Sequence, residues 1–175
     1  NFDSMAWVAQ KIRIPLATGE RIHTPQEYQM LVKRQALDYL RVSICVCGGF
    51  TGAKKIAAIA EANQIGIIPH HPLSPVATAA CIQFDAATPS FTIQEYPDPD
   101  GPAAHARFVF EKTGKSAFRA SDIVNVMPEC RDGFLVVPDA PGIGIELVEG
   151  VEEKFPFERR KVVTRLTTDG AVMDQ

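Results

Sequence analysis

The chain has 175 residues, of which 46% are hydrophobic and 22% are charged, and its formal net charge is −3. This length and composition fit one globular domain with enough apolar side chains for a core. The slight negative charge argues against a nucleic-acid-binding surface, and no apolar run approaches the ~20 residues of a membrane span. We therefore expect neither nucleic acid nor a membrane as a partner.

Helix start signals recur along the first half of the chain. Ser4 is expected to cap a helix ahead of the first strand, and Thr24–Glu27 is a capping box that predicts a helix to about Arg34. An alanine- and isoleucine-rich pattern predicts a third helix from Thr51. Ser74, followed by proline, predicts the start of a fourth.

Short apolar runs that end in a polar or small residue alternate with these helices, about 25 residues apart. The runs are Ile12–Glu20, Tyr39–Cys45, Ile65–His70 and Phe91–Glu95. The strands are expected to end near Ala17, Ile44, Pro69 and Gln94. Alternation of strands and helices predicts parallel βαβ units of an α/β fold. A whole (β/α)8 barrel takes roughly 250 residues, so four units correspond to half of a TIM-type barrel.

The composition changes after Tyr96, where a proline- and aspartate-rich loop begins. We assign residues 1–96 to the four βα units and residues 97–175 to a C-terminal tail that packs on the barrel. Within the tail, Asp169-Gly170 predicts a short hairpin over Arg165–Val172.

Three ionisable residues follow the predicted strands, at the end where barrel enzymes place their active sites. Glu20 is a candidate ligand of a hard cation such as Mg²⁺, with a surface glutamate as the alternative. His70 can move a proton near neutral pH, or can simply be satisfied by a backbone carbonyl. Glu95 can hydrogen-bond a substrate oxygen or act as an acid, with a loop carboxylate as the alternative. His71 should point elsewhere, because side chains alternate along a strand.

The four cysteines are Cys45, Cys47, Cys81 and Cys130. Cys45 and Cys47 share one side of a predicted strand and cannot bond each other without distortion. No finger-like spacing of metal ligands accompanies them. With no signal peptide at the N-terminus, we expect reduced thiols in a cytoplasmic protein.

Several segments together match a known family in order and spacing. They are Ile14–Arg21, Cys47–Ala57, Pro69–Pro75, Ile93–Tyr96, Pro141–Glu146 and Val163–Leu166. Through them the chain resembles the C-terminal half of sugar-acid dehydratases of the enolase superfamily. The resemblance is to the mandelate racemase/muconate lactonizing enzyme group, and within it to D-galactonate dehydratase-like proteins. It implies the last four strands of the barrel and a tail that returns to an α+β capping domain.

The resemblance also implies roles for the three strand-end residues. Glu20 would be the third carboxylate ligand of one Mg²⁺ per site, with the other ligands on earlier strands that this sequence does not contain. His70 would be the base that removes the proton next to the substrate carboxylate, and Glu95 would hydrogen-bond the resulting enediolate. Loss of the 3-hydroxyl as water would give a 2-keto-3-deoxy acid. One departure concerns Ser43, which occupies the position of the aspartate that pairs with the histidine in the family.

These observations lead to the hypothesis that a larger protein containing this chain is a Mg²⁺-dependent lyase, which dehydrates a galactonate-like acid sugar. A racemase or epimerase of the same superfamily is one alternative. The other is a catalytically inactive half-barrel with an assembly or binding role, which Ser43 and the missing strands favour for the isolated chain. Open edge strands predict a homo-oligomer, or pairing with the missing N-terminal half.

Overall fold

The structure, a computed structural model, describes residues 1–71, 74–96, 120–157, 159 and 166–171. Its helices are α1 (Phe2–Ala9), α2 (Pro25–Lys33), α3 (Gly49–Ala62), α4 (Pro75–Ala86) and α5 (Val151–Lys154), with a 3-10 turn at Ala120–Asp122. Its strands are β1 (Ala17–Thr18), β2 (Tyr39–Leu40), β3 (Gly66–Ile67), β4 (Cys130–Arg131) and β5 (Phe134–Leu135).

The first three strands form one parallel sheet in chain order, β1-β2-β3. An isolated parallel bridge between Ile67 and Phe91 adds a fourth strand position beside β3. Each neighbouring pair is connected by a helix, α2, α3 or α4 in turn. The predicted parallel βαβ order is therefore confirmed.

The regular strands are shorter than the predicted runs. In the second run, the chain turns at Ser43, whose carbonyl accepts from the N–H groups of Val46 and Cys47 at 3.1 and 3.0 Å. In the third run, Pro69 has no N–H to donate to a neighbouring strand. Single ladder bonds still continue toward the carboxyl ends, such as His70 N–H to the Val42 carbonyl at 2.8 Å.

Two predicted helix starts are wrong and two are correct. Asn1 rather than Ser4 caps α1, because the Asn1 side chain accepts from the backbone N–H groups of residues 3 and 4. Helix α3 begins at Gly49 instead of Thr51, after Gly48 in a left-handed conformation. The capping box before α2 and the Ser74 cap of α4 are both present.

The core lies between the parallel sheet and the helices that connect its strands. Its largest fully buried side chains include Tyr28, Leu31, Leu40, Ile56, Ile67 and Phe84. Burying one such side chain stabilises a fold by roughly 1.5–3 kcal/mol. This packed layer supports the carboxyl ends of the strands.

The described part of the second half is less regular. Strands β4 and β5 form an antiparallel pair, and a separate antiparallel bridge joins Val124 to Leu147. The division at residue 96 stays a prediction, since residues 97–119 lie outside the described residues. Both ends of the predicted Arg165–Val172 hairpin also lie outside them, although a turn is present at Asp169-Gly170. Among the described helices, none has the length and apolar character to cross a membrane.

Candidate functional site

Four polar residues follow four adjacent parallel strands and meet at one edge of the sheet. Glu20 follows β1, Arg41 follows β2, His70 follows β3, and Glu95 follows the strand position at Phe91. Carboxyl ends of parallel strands lie together, so consecutive strands contribute one residue each. The structure thus brings Glu20, His70 and Glu95 together, while their predicted roles stay predictions.

Arg41 is the centre of this group. Its Nη1 lies 2.8 Å from Glu20 Oε2, and its Nη2 lies 2.5 Å from Glu95 Oε1. The Arg41 side chain is 28% exposed, against 36% for Glu20 and 35% for Glu95. One guanidinium therefore bridges two half-buried carboxylates on opposite sides of β2, which fixes both of them.

His70 lies beside the bridged carboxylates. Its Nε2 is 3.7 Å from Glu20 Oε2, and its side chain is 17% exposed. Burial has the largest effect and lowers the His70 pKa. The Glu20 charge opposes it, the Arg41 charge adds to it and Glu95 opposes it weakly, so the net shift is downward. A lowered pKa keeps the imidazole neutral at pH 7, so that it can accept a proton.

Glu95 is held through both carboxylate oxygens. Oε1 pairs with Arg41, and Oε2 accepts the backbone N–H of His71 at 2.9 Å. Partial burial would raise the Glu95 pKa, but the hydrogen bonds from Arg41 and His71 and the Arg41 charge outweigh it and lower the pKa below its ordinary value. The carboxylate is therefore ionised at neutral pH and can only accept hydrogen bonds.

Ser43, which stands where the resemblance implies an aspartate, is not a hydrogen-bond partner of His70 Nδ1. The residue is 2% exposed. His70 Nδ1 is buried, and no partner for it exists among the described residues. A carboxylate at this position would stabilise the charged imidazolium, which a serine cannot do. The ring nitrogen that faces away from Glu20 is thus left unsupported.

Arg41 belongs to the candidate site, although no sequence pattern singled it out. The signal that could have found it was an arginine inside an otherwise apolar run, two residues before Ser43. Charged residues are almost never buried unless they are paired, so a cation in a core strand predicts an acidic partner nearby. Which acids it pairs with depends on the strand register, which the sequence pattern left open.

The described residues do not form a complete metal site. Across the described ranges, no group of three or more His, Cys, Asp or Glu side chains could hold a metal ion. Glu20 is one carboxylate, and its Oε2 already faces Arg41 and His70. The four cysteines are free, with Cys45 and Cys130 exposed and Cys47 and Cys81 buried. Mg²⁺ needs more oxygen ligands than the described residues offer at the site.

Comparison with known proteins identifies the family. Residues 1–151 match the enolase C-terminal domain-like family. The chain belongs to this family. The parallel sheet with its connecting helices confirms the expected α/β fold of the C-terminal half of an enolase-type barrel.

Relatives of this enolase-type chain include sugar-acid dehydratases. A D-galactonate dehydratase family member from Streptomyces bingchenggensis is 33% identical over 99% of this chain and 39% of its own length. A D-mannonate dehydratase from Caulobacter vibrioides is 30% identical over 95% of this chain and 38% of its own length. An enolase from Agrobacterium radiobacter, solved with sodium and L-malate bound, has a TM-score of 0.79 and 31% identity over 98% of this chain and 43% of its own. The chain therefore spans about two-fifths of the length of these relatives.

Proposed function

We propose that this enolase-type chain is part of a lyase that dehydrates an acid sugar, an aldonate similar to galactonate, to a 2-keto-3-deoxy acid. The observation that carries the proposal is the convergence of Glu20, Arg41, His70 and Glu95 at one sheet edge. The named dehydratases among its relatives favour elimination of water over racemisation. We also propose that the protein acts in the cytoplasm, in line with its free thiols.

The first step of such a reaction is removal of the proton next to the substrate carboxylate. His70 is the proposed base, because its lowered pKa leaves a neutral imidazole at pH 7. The rate should then rise with pH through the lowered His70 pKa and level off near neutrality. The unsupported Nδ1 makes this histidine a weaker base than one paired with a carboxylate.

Arg41 and Glu95 are proposed to act on the substrate's charged end. A guanidinium matches a carboxylate with two parallel hydrogen bonds, so Arg41 can exchange Glu95 for the substrate carboxylate. Glu95 would donate a hydrogen bond to an enediolate oxygen only after gaining a proton. Loss of its Arg41 partner would raise the Glu95 pKa and favour that proton.

We include Mg²⁺ in this proposal only as an ion whose other ligands would lie outside this chain. Glu20 would supply one carboxylate, and the bound ion would neutralise negative charge on the intermediate. The described residues offer no further ligands there, so Mg²⁺ dependence rests on the family resemblance. For the same reason, we propose that the isolated chain is inactive.

The test compares the 175-residue chain with a longer protein that contains it. Both are incubated with Mg²⁺ and a panel of aldonic and aldaric acids, and 2-keto acid is detected with a carbonyl reagent. We expect product from the longer protein alone, lost in His70→Asn and kept in the control His23→Asn, which changes an exposed histidine outside the site. Turnover by the isolated chain that His70→Asn abolishes would refute the inactive-chain proposal. Absence of product from the longer protein with every acid would refute the dehydratase proposal.

A further inference from the structure

His71 is a buried histidine directly beside the site, but its ring faces helix α4. The residue is 4% exposed, and its Nε2 forms a hydrogen bond with the Thr78 hydroxyl. The Thr78 hydroxyl also donates to the Ser74 carbonyl at 3.2 Å. The bond forms in either tautomer of the ring, because Nε2 donates when the hydroxyl proton goes to Ser74 and accepts when that proton goes to the ring. Burial lowers the His71 pKa, which agrees with a neutral ring. His71 points away from the group around His70, as expected, although the regular strand already ends at Ile67.

The backbone N–H of His71 is available because the sheet ladder is interrupted. Ile67 accepts from Thr92 N–H at 2.9 Å, as a regular parallel pair does. The next donor on this strand would be residue 69, which is a proline and has no N–H. The two strands stop pairing regularly, and the next free N–H, that of His71, binds the Glu95 carboxylate instead.

We propose that His71 is a positioning residue of the acid-sugar site, in which its ring, anchored on α4 by Thr78, holds its own N–H against Glu95. The proposal rests on the function proposed above. Rotation of the peptide between His70 and His71 would move the N–H away from Glu95. We expect the Thr78 anchor, on a helix of the core, to oppose that rotation.

The importance of this anchor follows from the other groups around Glu95. The charged and titratable groups that face it are Arg41 after β2, His70 and the His71 ring after β3, and the Cys81 thiol on α4. Of these, Arg41 alone binds the carboxylate, at 2.5 Å. When a substrate carboxylate takes over Arg41, the His71 N–H is the remaining protein contact described for the Glu95 carboxylate. Its orientation then determines where Glu95 lies relative to the substrate.

Thr78→Val and Thr78→Ser form a matched pair for the test. Valine keeps the shape of threonine without the hydroxyl, whereas serine keeps the hydroxyl. The first readout is the titration of Glu95, followed by NMR in the 175-residue chain with ¹³C-labelled glutamate and assigned with Glu95→Gln. We expect Thr78→Val to raise the Glu95 pKa toward its ordinary value and Thr78→Ser to leave it unchanged. His71→Phe, which keeps a ring without the anchor, should behave as Thr78→Val and serves if Thr78→Val does not fold.

The second readout is the split between kcat and KM in the longer protein. Thr78→Val should lower kcat by about tenfold or more because a misplaced catalytic group is costly, with little change in KM. Thr78→Ser should keep the wild-type kcat. A general loss of stability would not explain this difference between the two variants. The proposal would be overturned if Thr78→Val left the Glu95 pKa at its wild-type value. It would also be overturned if Thr78→Ser shifted that pKa as much as Thr78→Val does. If the longer protein shows no dehydratase activity, the proposed function fails, and the NMR titration still decides the role of His71.

Discussion

Replacing Arg41 tests whether the four-residue site is a cooperating charge network. Arg41→Met removes the guanidinium and keeps much of the aliphatic side chain. Two ion pairs disappear, with Glu20 at 2.8 Å and with Glu95 at 2.5 Å. Both carboxylates are about one-third exposed, so solvent screening reduces the value of each pair to about 0.5–1 kcal/mol. We expect Arg41→Met to lower the free energy of unfolding by about 1–2 kcal/mol at neutral pH.

The pH dependence gives this prediction a specific signature. The folded-state pKa of Glu95 is below its ordinary value of 4.5. Its contribution to stability is therefore present above that ordinary value and is lost as the pH falls through the folded-state pKa. Arg41→Met removes most of this contribution, so the difference in unfolding free energy between wild type and variant should shrink below about pH 4.5.

Urea unfolding at several pH values and two salt concentrations measures these differences. Arg131→Met is the matched control, because Arg131 pairs with Glu129 at 2.6 Å while both side chains are more than half exposed. The control should cost less than about 0.5 kcal/mol. The network interpretation is wrong if Arg41→Met costs no more than Arg131→Met, or if its cost does not depend on pH.

Three further outcomes follow from the structure. Burial raises the Asp85 pKa to about 7 from 3.8, so its contribution to stability is lost as the pH rises toward 7. Asp85→Asn should then stabilise the chain by about 1–3 kcal/mol above pH 7 and little near pH 4 in urea unfolding, unlike the exposed control Asp139→Asn. Ile14 and Ile93, near the two outer strand positions, are 74% and 59% exposed. Light scattering should therefore detect self-association of the chain, and a stable monomer would contradict this. In the longer protein, Ser43→Asp should raise the His70 pKa and the dehydration rate, measured as 2-keto acid formed. An unchanged rate would mean that His70 gains nothing from a carboxylate at position 43.

Much of the fold was predictable because it depends on local signals. The capping box at Thr24 and the serine cap at Ser74 are local start signals of helices, and the regular spacing of apolar runs indicates a parallel order. The lengths of the strands were not predictable in the same way. A turn at Ser43 interrupts the second predicted run, and its hydrogen bonds come from Val46 and Cys47, which lie just beyond that run.

The candidate site was predictable in position but not in its connections. Strand ends at Glu20, His70 and Glu95 follow from spacing, because all parallel strands of a sheet end at one edge. Their bridging by Arg41 depends on which side chains of β2 face that edge, and a shift of one residue would have turned Arg41 away. The His71–Thr78 bond depends on how α4 packs against the sheet, which no local pattern encodes.

The charge of the assembled site explains why this chain is expected to need a cation from outside. Glu20 and Glu95 contribute two negative charges, Arg41 contributes one positive charge, and His70 is neutral at pH 7. The site is thus net negative before an acid sugar arrives, and proton removal from that substrate adds further negative charge. Stabilising such an intermediate requires positive charge placed where the new charge develops. Because Arg41 brings one positive charge against two carboxylates, the required cation must come from groups beyond those described at this sheet edge.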